Sequence, residues 1–398
     1  MSGHHLPSLP LPHGISEAHV QTDDLTYHVL HAGASPHASR HLQKPLLLLL
    51  HGFPELAFSW RKVMPALASE GYHVVAYDQR GYGRTTGWDT RAFEQVDLGQ
   101  FTMSRVVTDA VRLVNALGYK EVECVLGHDF GAVAASMCAL TRGDVFKSVV
   151  LMSHPFKGTP SFPFDTVKHP QPASDQKDVR KDLASLEPPR KHYKWYYATA
   201  PANAEMTEPK AQLAEFLRGY FHLKSADWEG NKPVPLKEWS AKELSKLPYY
   251  YVMPMQSGMR EAVAQDMKSE DPKAVASKSA RWLPDSDLQV YAEELARNGF
   301  QGGLNWYRVQ TDSRGAREVE LFAGRKIDVP ALFISGRSDW GMYQQPGALE
   351  SMEKECSKFK GSKIVDGAGH WVQQEQPQEV VKLVLDFLRE VKVERVTV

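Results

Sequence analysis

Val122–Ala135 reads VECVLGHDFGAVAA. A short, mostly apolar run meets Gly127-His128-Asp129-Phe130-Gly131, and an alanine-rich stretch follows at once. The run fits a buried strand, and the alanines fit a helix. Small residues at 127 and 131 permit a tight turn, which projects residue 129 from the carboxyl edge of a sheet. Taken alone, G-x-D-x-G is a weak pattern that an ordinary loop acid also satisfies.

Outward from this stretch the same rhythm repeats. Pro45-Leu-Leu-Leu-Leu-Leu50, Tyr72–Tyr77 and Ser148–Met152 are unalternating apolar runs. Helical patterns at Met103–Leu117 and Ala132–Ala139 lie between strands. Strand and helix in alternation predict an α/β fold, a mostly parallel sheet flanked by helices. Leu25–His31 alternates weakly and reads as an edge strand. The first 24 residues, rich in Pro, His and Ser, read as surface wrapping.

From Lys157 to about Ala323 the rhythm breaks. A polar stretch, 157–190, is followed by aromatic helix-like segments at His192–Thr199, Lys210–Leu223, Lys237–Lys246, Glu261–Asp266 and Leu288–Asn298. The sheet pattern resumes at Val329–Ser335 and Ser362–Val365, and a one-faced helix closes the chain at Pro377–Val391. Long insertions between strands usually cover a functional site. The expected organisation is a core of residues 1–156 and 322–398 with a helical cap, residues 157–321.

Composition narrows the function classes. The 398 residues carry 47 basic and 48 acidic side chains, so there is no electrostatic footprint for nucleic acid. No apolar run approaches the ~20 residues of a membrane span, and Met1–Pro12 lacks the pattern of a signal peptide. Three cysteines, Cys124, Cys138 and Cys356, make no disulfide framework and suit a reducing compartment, the cytosol. Eight of the sixteen histidines precede residue 42 and read as solvated, tag-like sequence. No zinc spacing and no nucleotide loop occurs, so neither metal nor cofactor is expected.

Two further motifs give Asp129 its company. Asp339 directly follows the strand VPALFIS, and His370 sits in Gly367-Ala-Gly-His-Trp371 between the last strand and the final helix. Nucleophile, acid and histidine in that chain order match the α/β-hydrolase triad. Asp328 and Asp366 are rivals for the acid; the first stands at the wrong end of its strand, the second too close to His370. His51-Gly-Phe-Pro54 follows the leucine strand. Its Phe53 N–H, with that of Phe130, is placed to form an oxyanion hole.

HGFPE, YDQRGYGR, GHDFG, GRSDW and GAGHWVQQEQP, in this order, resemble the soluble epoxide hydrolases of the α/β-hydrolase superfamily. The likeness runs from about Leu46 to the C-terminus. It implies two cap tyrosines over the nucleophile: Tyr307 in GGLNWYR, and Tyr193 in HYKWYYATAPANAEM, with Tyr197 close by. His51, Pro54, Trp195, Trp340 and Trp371 are expected to line the substrate pocket. The implied partner is a small-molecule epoxide, and a homodimer is compatible with the sequence.

The aspartate itself restricts the reaction. A carboxylate attacking a carbonyl gives an anhydride, whereas attack on saturated carbon gives a stable alkyl ester. The leaving group is then an epoxide oxygen or a halide. An opening epoxide needs a proton donor, and phenols stay protonated at neutral pH. A halide needs N–H donors; Phe130 has none in its side chain, although Trp195, Trp282 or Trp306 could supply an indole. Hydrolytic dehalogenation is thus the runner-up, and a non-catalytic ligand receptor on the same fold is the alternative from another class.

Overall fold

The computed structural model describes residues 6–33, 43–162, 164–167 and 178–397. His4, His5, His37 and His41 of the tag-like histidine group lie outside the described residues, as do 163 and 168–177 of the polar stretch.

Eight strands make one sheet. They are β1 (Ile15–Gln21), β2 (Thr26–Ala32), β3 (Leu46–Leu50), β4 (His73–Tyr77), β5 (Cys124–His128) and β6 (Val149–Met152), then, after the excursion described below, two more. β7 (Arg190–His192) and β8 (Val252–Pro254) pair antiparallel with each other within that excursion. β9 (Ile327–Gly336) and β10 (Cys356–Val365) rejoin the main sheet, whose order is β1-β2-β4-β3-β5-β6-β9-β10. All pairings from β4 to β10 are parallel. Among the described residues, no helix is long and apolar enough to cross a membrane.

The leucine run explains its own lack of alternation. Leu46, Leu48 and Leu50 face one apolar cluster and Leu47 and Leu49 the other, and all five are buried. Helices α2 (Met103–Ala116) and α3 (Phe130–Thr141) fill the first side through Val106, Leu113, Ala134 and Cys138. Helix α1 (Met64–Ser69) and the C-terminal helix Pro377–Thr397 fill the second through Leu67, Val384 and Phe387. A strand covered on both faces gains from apolar residues at every position.

Two expectations at the N-terminus are corrected. The segment read as surface wrapping contains β1, which is the edge strand, and β2 lies inside it, paired to β4. The sequence of β1, ISEAHVQ, is too polar and half-exposed to show a clean period. Nor is every early histidine solvated. His28 is buried, with Nδ1 2.8 Å from Asp78 Oδ2 and Nε2 3.3 Å from Glu17 Oε2.

Between β6 and β9 the chain runs through helices that meet the loops after β3, β5 and β10. Trp306 packs edge-on against Phe130 at 5.0 Å and Tyr307 against Phe53 at 5.3 Å, while Phe221 lies tilted on Trp371 at 4.5 Å. The helix Gln301–Thr311, which carries Tyr307, is concealed in sequence by Gly302-Gly303. Glycines disfavour helix interiors, but here a Cβ on Gly302 would come within 1.9 Å of the Gly81 carbonyl oxygen. The close approach of the two chain segments needs them.

Candidate active site

Asp129 stands between β5 and α3 at φ 52°, ψ −117°, a left-handed conformation that an aspartate adopts at a cost of about 1–3 kcal/mol. The turn is jammed against β3: a Cβ on Gly131 would meet the Leu50 carbonyl oxygen at 2.2 Å. This contact is why the motif requires glycine there, and it fixes the start of α3 beside the loop after β3. From that loop, the Phe53 N–H donates to Asp129 Oδ1 at 3.1 Å. Phe130, the other expected amide donor, is the first residue of α3 on the same turn.

His370 Nδ1 lies 3.0 Å from Asp339 Oδ1. Asp339 is buried, and it also accepts from the Gly341 N–H at 2.6 Å and the Ser335 hydroxyl at 3.1 Å. These contacts orient the ring so that Nε2 faces Asp129. Nε2 is 3.4 Å from Asp129 Oδ2, too poorly aligned for a direct hydrogen bond. Burial pushes the Asp129 carboxyl upward in pKa. The adjacent His370, then Lys224 and His128, outweigh it and hold the group well below the usual carboxylate range. Of the rival acids, Asp366 pairs with Arg337 in solvent and Asp328 accepts from the Ser357 hydroxyl.

The two tyrosines lie above this group. Tyr193 and Tyr307 are buried with ring centres 5.9 Å apart, and Tyr307 also packs edge-on against Phe130 at 5.1 Å. The Tyr193 hydroxyl donates to Gln344 Oε1 at 3.3 Å. Burial first, and then neighbours that include the Asp129 charge, push both phenols well above their ordinary pKa, so both keep their protons. Tyr197 is tied elsewhere, its hydroxyl 3.3 Å from that of Tyr220.

The residues expected to line the pocket divide. Trp195 borders a cavity of about 390 Å³ beside the site. His51 lies behind the turn, its Nδ1 donating to the Gly52 carbonyl at 2.9 Å and its Nε2 accepting from the Gln79 N–H at 3.1 Å. The Trp371 indole donates to the Phe221 carbonyl at 2.9 Å while its ring packs on His370. Trp340 is buried beside Asp339, and Pro54 follows Phe53 through a cis peptide bond.

Several polar contacts escaped the sequence reading. Glu55 Oε2 is 2.6 Å from His128 Nδ1, and His128 Nε2 donates to the His370 carbonyl at 2.7 Å. Glu375 accepts from the amides of Gly369, Trp371 and Ala226, gripping the histidine loop from both sides. Burial pushes its carboxyl up to about 8 against those donors. Lys224 is buried with its ammonium 4.6 Å from the centre of the Tyr251 ring and 5.0 Å from that of Tyr220. Glu55, His128 and Glu375 sit inside the quoted motifs; what the motifs do not reveal is which backbone they hold.

The geometry has close relatives. The family model described as alpha/beta hydrolase fold matches residues 45–377. Epoxide hydrolase B of Mycobacterium tuberculosis is 30% identical over 354 residues, 87% of this chain and 92% of that one. Epoxide hydrolase 2 of Siraitia grosvenorii is 27% identical, with 94% and 98% covered. Among solved structures, epoxide hydrolase I of potato (Solanum tuberosum) matches with a TM-score of 0.67 at 27% identity, covering 94% of this chain and 99% of that one. Epoxide hydrolase A from Mycobacterium thermoresistibile matches with 0.68 at 29%, covering 94% and 98%. The chain belongs to the epoxide hydrolase family within the α/β-hydrolase superfamily.

Proposed function

We propose that this protein hydrolyses an epoxide to a vicinal diol through an alkyl ester on Asp129. The observation that carries the reading is a half-buried, ionised aspartate near two phenols that burial keeps protonated, with an imidazole nitrogen 3.4 Å away. Asp129 attacks one epoxide carbon, and the ring oxygen takes a proton from Tyr193 or Tyr307 as the C–O bond breaks. His370 then removes a proton from water, which attacks the Asp129 carboxyl carbon. Asp339 holds the imidazole and stabilises its charged form. The Phe53 and Phe130 amides stabilise the oxyanion on the Asp129 carboxyl; one such donor contributes ~2.7–4 kcal/mol. In this reading the core comprises residues 1–156 and 322–398, and residues 157–321 form the cap that carries the phenols.

Dehalogenation finds less support. The Trp306 indole donates to the Arg80 carbonyl at 3.0 Å, and that of Trp282 to Asp227 Oδ2 at 2.7 Å. Those N–H groups are committed and do not reach for a halide. The test is a matched panel of epoxides and haloalkanes, read for diol and for free halide. Diol without halide is expected; halide release with inert epoxides would overturn the reading. Tyr307→Phe should slow ester formation ~10²-fold, the ordinary range for losing a general acid, and leave ester hydrolysis nearly intact. Rapid-mixing kinetics separate the two steps, and equal ester-formation rates would reduce Tyr307 to packing.

A further inference from the structure

Lys224 ends the helix Leu213–Lys224, and among the described residues it is the only buried lysine, 4% exposed. A cation at a helix C-terminus is ordinary, and such a side chain normally carries its charge out to water. This one turns inward. Its ammonium faces four aromatic rings, with centres at 4.6 Å (Tyr251), 5.0 Å (Tyr220), 5.6 Å (Tyr250) and 5.7 Å (Trp371). Among the described residues no carboxylate pairs with it and no acceptor takes its hydrogen bonds. The rings attract a cation through their quadrupoles but carry no net charge. The field of the ammonium therefore leaves the cage uncancelled, and apolar surroundings screen it weakly.

The cage is part of the wall of the reacting site. Trp371 packs on the His370 ring at 4.7 Å, and Tyr251 on the Tyr193 ring at 5.3 Å. The Lys224 carbonyl accepts from the His370 N–H at 2.8 Å. The end of this helix thus holds the base by its backbone, while its side chain supplies a fixed positive charge. Of the groups that hold the Asp129 carboxyl low against burial, Lys224 follows only His370.

A constant charge acts on a reaction whose own charge changes beside it. Asp129 is an anion at rest, a neutral ester after attack on the epoxide, and the bearer of an oxyanion once water adds. In that addition the water oxygen bonds to the carboxyl carbon, its proton passes to His370, and the C=O electron pair moves onto oxygen. The bond to the alkyl oxygen then breaks. The imidazolium formed alongside has its own counter-charge in Asp339, 3.0 Å away.

We propose that Lys224 is a positioning residue for charge, whose caged ammonium stabilises the oxyanion on Asp129 relative to the neutral ester and so shortens the life of the ester. The proposal rests on the ester reading of the site and adds to it a residue that sets which half-reaction limits turnover. Lys224 makes and breaks no bond.

Single turnovers of styrene oxide with the protein in excess, quenched at intervals and weighed as intact protein, give the two rates separately. Lys224→Met keeps an apolar, unbranched side chain and removes the charge. Its ester should form as fast as in the wild type or faster, and decay about tenfold more slowly, the order expected of one charge acting across protein. Lys224→Arg, which keeps the charge, should recover most of the decay rate. A lysine that only packs would, on removal, lower both rates together along with the unfolding temperature. That result, or ester decay in Lys224→Met at the wild-type rate, would overturn the proposal and leave the ester reading intact. If the methionine variant does not fold, Lys224→Gln carries the same comparison. Ester absent from the wild type and from His370→Gln alike would instead overturn the ester reading, and the role of Lys224 with it.

Discussion

Replacing Asp129 by alanine is expected to lower diol formation by 10⁴-fold or more, the scale at which removal of a covalent nucleophile is usually felt. The alanine variant loses the attacking atom and also the negative charge that faces His370 Nε2. A single turnover in heavy-oxygen water distinguishes the two consequences in the unmodified protein. Water attacks the Asp129 carboxyl carbon, the bond from that carbon to the alkyl oxygen breaks, and the diol leaves with an oxygen that came from the protein. The label should therefore appear in the Asp129 side chain, read by mass spectrometry of its peptide. Label found in the diol after one turnover would mean that water attacks the epoxide directly, with Asp129 at most a base.

His370→Gln should separate the half-reactions. Ester formation needs the ionised carboxylate and a phenol, and both remain. Ester hydrolysis needs a base for water, and glutamine is none, so that step should slow by ~10²–10⁴-fold. Intact mass should then rise by the whole mass of the epoxide, since opening the ring expels no fragment. An unmodified mass in a variant that has lost turnover would place His370 in the first step and overturn the assignment. The Asp339 contact gives a graded version of this experiment. Asp339→Asn permits the wrong tautomer of His370, so adduct should again accumulate, at a level between wild type and His370→Gln.

The sheet was legible where both of its faces are covered. Leu46–Leu50, too short for the helix that leucine favours, fitted a strand wrapped on two sides better, and the turns after β3, β5, β9 and β10 bring Phe53, Asp129, Asp339 and His370 to one edge. Legibility failed where the physics is not periodic. β1 is a polar edge strand whose partner supplies its hydrogen bonds. The helix Gln301–Thr311 begins with glycines that serve a contact with Gly81, some 220 residues earlier. Glu375 was visible as a letter in a motif, but its grip on Ala226 spans 149 positions.

The buried contact between Glu55 and His128 joins more than two side chains. Glu55 belongs to the loop after β3, His128 ends β5, and the imidazole reaches on to the carbonyl of His370 after β10. Gln373 and Gln374 add their amides to the other oxygen of Glu55. Three segments that bring the reacting groups together thus share a single mooring, sealed from solvent. Damage to it would not loosen one loop and spare the rest; the oxyanion donor, the nucleophile and the base would lose their alignment together.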